Sequence, residues 1–248
     1  DRLVYRTGGR IGRRRGRRRE MTVSNIYSVA VDGPSGAGKS TLSKEVAKEL
    51  GIVYVDTGAI YRTIGYYIFT QGIDPKDERA VTAALPEVRV DMRYGADGLQ
   101  RMFLGGTDVT EKIRLPEISM YASAVSAIPA VRAFLLEMQR DMARRSSVIM
   151  DGRDIGTVVL PNAQVKIFLC ADVQVRARRR TLELEQRGTP KPYEQVLEEM
   201  EQRDWADSHR SAAPLRPAED AVVVDTTNMD FAQSKDAILQ VIRRRTQP

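Results

Sequence analysis

Gly33, Gly38, Lys39 and Ser40 stand at the spacing G-x-x-x-x-G-K-[ST] within Asp32-Gly33-Pro34-Ser35-Gly36-Ala37-Gly38-Lys39-Ser40-Thr41. Glycines at this spacing let successive backbone N–H groups turn inward on phosphate oxygens, and a helix N-terminus behind them adds partial positive charge. A lysine at the end of the loop reaches the β- and γ-phosphates, and the next hydroxyl is a magnesium ligand, direct or through water. Residues 33–41 are therefore the candidate contacts of a nucleoside triphosphate, with Lys39 catalytic and Ser40 on the metal. The flanks agree. Ile26, Val29, Ala30 and Val31 read as a short buried strand, and Leu42, Val46 and Leu50 recur at helical spacing behind the loop.

A phosphate loop needs a second substrate, and two further clusters follow apolar runs. The run 52–55 leads into Asp56-Thr57-Gly58-Ala59-Ile60-Tyr61-Arg62, and Val148-Ile149-Met150 leads into Asp151-Gly152-Arg153-Asp154. Two charged helical stretches, 173–187 and 193–209, carry Arg176 and Arg179 on one, and Arg203 and Asp207 on the other with Arg210 just beyond. Arg203, Asp207 and Arg210 fall at i, i+4 and i+7, on one helix face. Phosphoryl transfer leaves little covalent work to a protein beyond in-line positioning and positive charge. Where the acceptor is itself a phosphate, no general base is needed, but two anions must be held together, and arginines do that. His209, the one histidine, is read as a bystander, and Trp205 as packing rather than a stacking platform.

The elements that position these groups alternate. Strand runs at 52–55, 148–150, 165–169 and 222–224 are separated by helical patterns, which predicts an α/β fold with a parallel sheet flanked by helices. In such sheets ligands lie at the carboxyl ends of the strands, where all three clusters fall. Pro129 suits a first helical position, and Val131, Leu135, Met138 and Met142 then form an apolar stripe. Between about 75 and 116 the pattern changes to short period-two runs, 88–94, 99–104 and 107–109, which predicts a small antiparallel insertion placed to close over a ligand.

Charge is uneven along the 248 residues. Residues 1–20 hold nine arginines against Asp1 and Glu20, a net +7, which leaves −1 of the chain's +6 for residues 21–248. The basic tail has no apolar periodicity and is expected to be disordered. It is either non-native sequence ahead of a start at Met21 or a basic arm that touches nucleic acid. Cys170, the single cysteine, excludes an internal disulfide and suits the cytoplasm. No apolar run approaches the ~20 residues of a membrane-spanning helix.

DGPSGAGKST, DTGAIYR, DGRDIGTVV, VKIFL and RDWADSHRSAAPL, in this order, closely resemble the blocks of the bacterial cytidylate kinases, a nucleoside monophosphate kinase family. The likeness runs over about 24–245 and includes the insertion. It implies an adenylate-kinase-like P-loop fold and phosphorylation of CMP and dCMP by ATP with Mg²⁺, in a cytoplasmic monomer whose nucleoside monophosphate kinase domain spans 21–248. The insertion would belong to the monophosphate-binding region, and a short lid would lie at about 173–192. By the same resemblance Asp56, Thr57 and Tyr61 belong to the CMP site, and Arg62, Arg153 and Arg210 hold the acceptor phosphate as catalytic residues. Ser123, Arg132 and Asp154 would read cytosine, and Arg203 with Asp207 would contact the sugar. Arg176, Arg179 and Arg180 would belong to the lid over ATP, with Arg176 and Arg179 catalytic. Two other functions are weighed against this one: a P-loop kinase of another small acceptor such as shikimate, disfavoured by the cytosine-reading set, and nucleic-acid binding through the tail.

Overall fold

Val29, Ala30 and Val31 are fully buried in sequence, as a strand covered on both faces requires. In the computed structural model, which describes residues 4–5 and 26–246, they form the middle of a strand at Ser28–Asp32. In chain order the elements are β1 (Val4–Tyr5), β2 (Ser28–Asp32), α1 (Lys39–Leu50), β3 (Val53–Asp56), α2 (Thr57–Thr70) and α3 (Glu78–Ala84). There follow β4 (Val90–Tyr94), β5 (Gln100–Leu104), β6 (Thr107–Asp108), α4 (Pro116–Ser126) and α5 (Pro129–Arg145). The last are β7 (Val148–Gly152), β8 (Val165–Cys170), α6 (Val173–Gln186), α7 (Tyr193–His209), β9 (Val222–Asp225) and α8 (Phe231–Thr246).

The chain divides into two compact units, one built on Tyr27–Thr57 with Ser146–Pro248 and one on Gly58–Arg145. The first holds a five-stranded sheet in the order β3-β7-β2-β8-β9, with every neighbouring pair parallel. From β2 the chain first builds β3 and β7 on one side and later β8 and β9 on the other. The strand order therefore reverses at β2, and the crevice at its carboxyl end is where such sheets take ligands. Register then fixes the polar ends: Asp56 pairs with Asp151, and Asp32 pairs with Gly152. Leu42 and Val46 of α1 and Ile238 and Ile242 of α8 join Val29, Val31, Ile149 and Ile167 in the core. Each such side chain contributes about 1.5–3 kcal/mol by leaving water. Helices α6 and α7 share a smaller cluster of Ala177, Val196 and Met200.

The second unit carries an antiparallel sheet in the order β1-β4-β5-β6. Met92 and Met102 pair across β4 and β5 and are buried, while their neighbours Arg93 and Arg101 pair on the opposite face. Arg93 lies 4.1 Å above the Phe103 ring. Val4 and Tyr5 of the basic tail pair with Arg93 and Met92; the rest of residues 1–20, on which the expectation of disorder falls, lies outside the described residues. This unit also carries α3, inside the region read as period-two, and α4, which begins at its end; neither was anticipated. In α5 the buried stripe is Val131, Leu135, Gln139 and Met142, with Gln139 in place of the expected Met138. Gln139 is tolerated there because its Nε2 donates to the Leu135 carbonyl at 3.1 Å. Among the described residues no single helix is long and apolar enough to cross a membrane.

Gly33 leaves β2 at φ 150°, and a Cβ at this position would lie 1.9 Å from the Leu169 carbonyl oxygen of β8. Neither partner can move without breaking the β2–β8 ladder. Gly33→Ala is expected to lower unfolding free energy by at least ~2 kcal/mol in urea denaturation, the scale of a strained backbone position with an added clash.

Candidate active site

The phosphate loop is closed by its own lysine. Lys39 opens α1, is 6% exposed, and donates from Nζ to the Pro34 carbonyl at 2.7 Å, so the side chain arches back over the loop. No side chain caps the start of this twelve-residue helix and no acidic residue stands in its first turn. Its N-terminal N–H groups and partial positive charge therefore face the loop. Burial first, and then the charge of Arg153, push the Lys39 ammonium well below its ordinary range, with Asp151 and Asp32 pulling the other way. An ammonium held at this disadvantage gains from any phosphate placed beside it.

Buried Arg176 braces the loop from outside. Its guanidinium donates to the carbonyls of Ala171 at 2.8 Å and Ser35 at 2.9 Å, and pairs with Asp204 of α7 at 2.7 Å. Arg180 turns away to Glu183, also at 2.8 Å. Arg179 lines a cavity of about 300 Å³ with Gly38, Thr41, Thr226, Met229 and Phe231. It is fixed there by a 2.8 Å hydrogen bond to the Thr226 carbonyl. This cavity opens beside the phosphate loop and is mostly apolar-walled, as a stacked base requires.

Asp151, at the carboxyl end of β7, is the hub of a second network. It accepts from Ser40 Oγ at 2.7 Å and from Tyr54 Oη at 3.0 Å, while its backbone carbonyl accepts from Thr57 Oγ1 at 2.6 Å. Burial, reinforced by Asp56, pushes the Asp151 carboxyl up to about 6 against the pull of Lys39 and its two hydroxyl donors. Tyr54 is raised by burial and by the Asp151 and Asp56 charges.

One turn further, arginines and carboxylates interleave. Arg153 Nε donates to Asp207 Oδ2 at 2.8 Å, and Arg210 lies 3.9 Å from Asp207 Oδ1 and 3.8 Å from Asp154 Oδ1. Arg210 also donates to the Ala213 carbonyl at 2.8 Å, which fixes the chain as it leaves α7. Burial opposes ionisation of Asp207, but Arg153, Arg203 and Arg210 together hold it below the usual carboxylate range. This unit thus brings together Lys39, Ser40, Asp56, Thr57, Arg153, Asp154, Arg203, Asp207 and Arg210 at the carboxyl edge of one sheet and on the helix beside it. Trp205, on the other face of α7, is exposed and stacks on His209 with ring centroids 4.6 Å apart, away from this cluster.

The remaining candidates lie in the second unit. Arg132 sits 5.3 Å above the Tyr61 ring and donates to the Ser126 carbonyl at 2.9 Å. Ser123 accepts on its carbonyl from Ser126 Oγ at 2.8 Å, and Arg62 is half-buried on α2 next to Tyr61. Helix α4, which carries Ser123, packs so closely on α2 that a Cβ on Gly65 would meet the Ala122 nitrogen at 2.8 Å.

The family model described as cytidylate kinase matches residues 29–244. The cytidylate kinase of Caldicellulosiruptor bescii is 49% identical over 214 residues, which are 86% of this chain and 94% of that relative. The cytidylate kinase of Mycobacterium avium is 49% identical over 220 residues, 88% of this chain and 96% of that relative.

The chain belongs to the cytidylate kinase family.

The family blocks singled out in the sequence fall in the loop before α1, the β3–α2 junction, the end of β7, β8 and the end of α7. Sequence reasoning missed others. Asp32 and Tyr54 receive no role there and Asp151 none beyond its cluster, because a single buried carboxylate or phenol on a strand has no motif spacing. The rule that ligands sit past parallel strand ends flags the two aspartates, whereas Tyr54, the second residue of β3, has no such signal. The segment from Thr226 to Ser234, one wall of the cavity, follows the end of β9 and was legible by the same rule.

Because burial depresses Lys39, a polyphosphate bound against it raises its proton affinity, and binding takes up protons between the lowered and the restored pKa. Calorimetry of ATP binding in buffers of different ionisation enthalpy is expected to show net proton uptake. Lys39→Ala is expected to abolish it.

Proposed function

We propose that this chain transfers the γ-phosphoryl group of ATP to CMP and dCMP. The observation that carries the reading is the pairing of two phosphate-binding arrangements on neighbouring strands: Lys39 arched over the loop after β2, and the Arg153–Asp207–Arg210–Asp154 cluster after β7. Adjacent parallel strands end a few ångströms apart. The donor triphosphate then lies along the α1 N-terminus with its base in the cavity beside Arg179. The acceptor phosphate lies with Arg153 and Arg210, its oxygen already nucleophilic, so the protein supplies orientation and charge rather than a base.

Ser40 and Asp151 fit a magnesium site: a P-loop hydroxyl hydrogen-bonded to a buried strand-end carboxylate is the pair that holds the cation in this class of loop. Among the described residues no cluster of three acidic, histidine or cysteine side chains could hold a metal alone, which suits a cation that shares its ligands with substrate phosphates and water. The bound ion would supply charge neutralisation between the β- and γ-phosphates. In the proposed roles Arg203 and Asp207 contact the sugar, and Asp154 accepts from the cytosine amino group. The roles proposed for Tyr61, Arg62, Ser123 and Arg132 rest on their motifs' resemblance to the family. A cytoplasmic monomer is the state this reading implies.

The decisive experiment couples ADP release to a panel of acceptors: CMP, dCMP, UMP, AMP and shikimate. CMP is expected to exceed UMP by at least ~100-fold in kcat/KM, because O4 of uracil would face the Asp154 carboxylate and leave a buried acceptor pair unmatched. Asp154→Asn is expected to shrink that ratio mainly by weakening CMP use; an equal fall for both acceptors would place base reading elsewhere. Lys39→Ala is expected to lower kcat by at least ~100-fold, equivalent to about 2.7 kcal/mol of transition-state stabilisation, with the fold retained by circular dichroism.

A further inference from the structure

Asp32 ends β2 and immediately precedes the first glycine of the phosphate loop, yet its side chain does not face that loop's backbone. The carboxylate is 4% exposed and accepts two backbone hydrogen bonds, Ile155 N to Oδ1 and Gly156 N to Oδ2, both at 2.7 Å. These are the first two N–H groups of a π-helical turn, Ile155–Val159, which have no partner within a turn that starts there. The residue that flanks this turn is Asp154, buried, with φ −147° and ψ 25° and with its carbonyl accepting from Val158 and Val159 at 2.9 and 3.1 Å. Asp154 is thus fixed on one side by the turn it starts and on the other by Arg210 at 3.8 Å. Arg153 precedes it. Anything that anchors the turn anchors this pair.

We infer that Asp32 is a positioning residue for the acceptor: its carboxylate clamps the turn that presents Arg153 and Asp154, and so ties the acceptor-reading pair to the strand that carries the donor loop. The inference rests on the proposed CMP kinase activity and deepens it. A carboxylate suits the task because it offers two charged acceptors to two parallel donors. Asparagine offers one acceptor and turns an N–H₂ toward the second N–H, which leaves a buried donor unpaired. Gly156 completes the fit, since a Cβ there would stand 3.4 Å from Asp32 Oδ2 and 3.2 Å from Lys166 Cδ. The donor loop has its own supports, the Lys39 bond to Pro34, the Arg176 bond to Ser35 and the β2 ladders to β7 and β8. Loss of the clamp therefore falls on the acceptor side.

The test is steady-state kinetics of Asp32→Asn with CMP, UMP and ATP varied in turn. The KM for CMP is expected to rise about tenfold or more, and the CMP-over-UMP preference in kcat/KM to fall by at least about fivefold, while the KM for ATP stays within about twofold. A purely structural role would lower all three substrates' use by a common factor, and that result, or unchanged constants, overturns the inference. Should Asp32→Asn fail to fold, Asp32→Glu keeps the charge but carries the two acceptor oxygens one methylene away from their place against the Ile155 and Gly156 N–H groups, and the same split between CMP and ATP is expected; its absence is likewise a refutation. The parent chain separates the two levels: no CDP from CMP overturns both readings, whereas CDP formation with an unaltered acceptor preference in the variants overturns only the role of Asp32.

Discussion

Burying charge at the carboxyl edge of a parallel sheet is the constraint on which the rest of the structure depends. Asp56 and Asp32 end β3 and β2, Asp151 is next to last in β7 between them, and all three are buried, as is Lys39. An ion taken from water without partners costs several kcal/mol. Asp32 is matched by two peptide N–H groups, and Asp151 by Ser40 and Tyr54. The compensation is incomplete, and both carboxyls are pushed up to about 6. The lysine carries the mirror-image strain, depressed by its burial. An edge left short of counter-charge in this way is prepared for a ligand that brings both signs, phosphates and a cation.

The arginines obey the same rule from the other direction. Arg153 and Arg203 bear on the depressed Lys39, and Asp207 stands between Arg153 and Arg210 while Asp154 meets Arg210. Asp207 is held ionised by its three arginine neighbours in spite of burial. The cluster is thereby assembled before any substrate arrives, which reduces the ordering an incoming phosphate must impose. Arg176 shows how far such pairing can redirect a residue: it has the type and spacing of a phosphate contact, yet its donors go to two carbonyls and to Asp204. There its guanidinium ties the Ser35 carbonyl of the loop to α6 and α7.

Local signals explain what was legible early. The strand, loop and helix around Gly33–Ser40 are contiguous, so hydrophobic pattern and turn chemistry alone give their order. Helix α7 was legible for the same reason, because Arg203, Asp207 and Arg210 share a face whatever the helix packs on. Helix α4 was not, since 116–126 mixes small and apolar residues with little periodic contrast. Met138 and Gln139 exchanged places for a related reason: one step along a helix moves a residue by 100°, and packing partners decide which side of the stripe is covered.

The sequence by itself determined the class of fold, the phosphate loop, the family and the residue types around the acceptor, all of which depend on short-range spacing. Only the tertiary structure decided the strand order that puts β7 beside β2, and with it the meeting of Ser40 with Asp151, 111 residues later, and of Asp32 with Ile155, 123 residues later. Those contacts have no sequence period because they are set by sheet register. A single carboxylate acquires its role from the strand it lands beside, and that choice is made by the packing of the whole sheet.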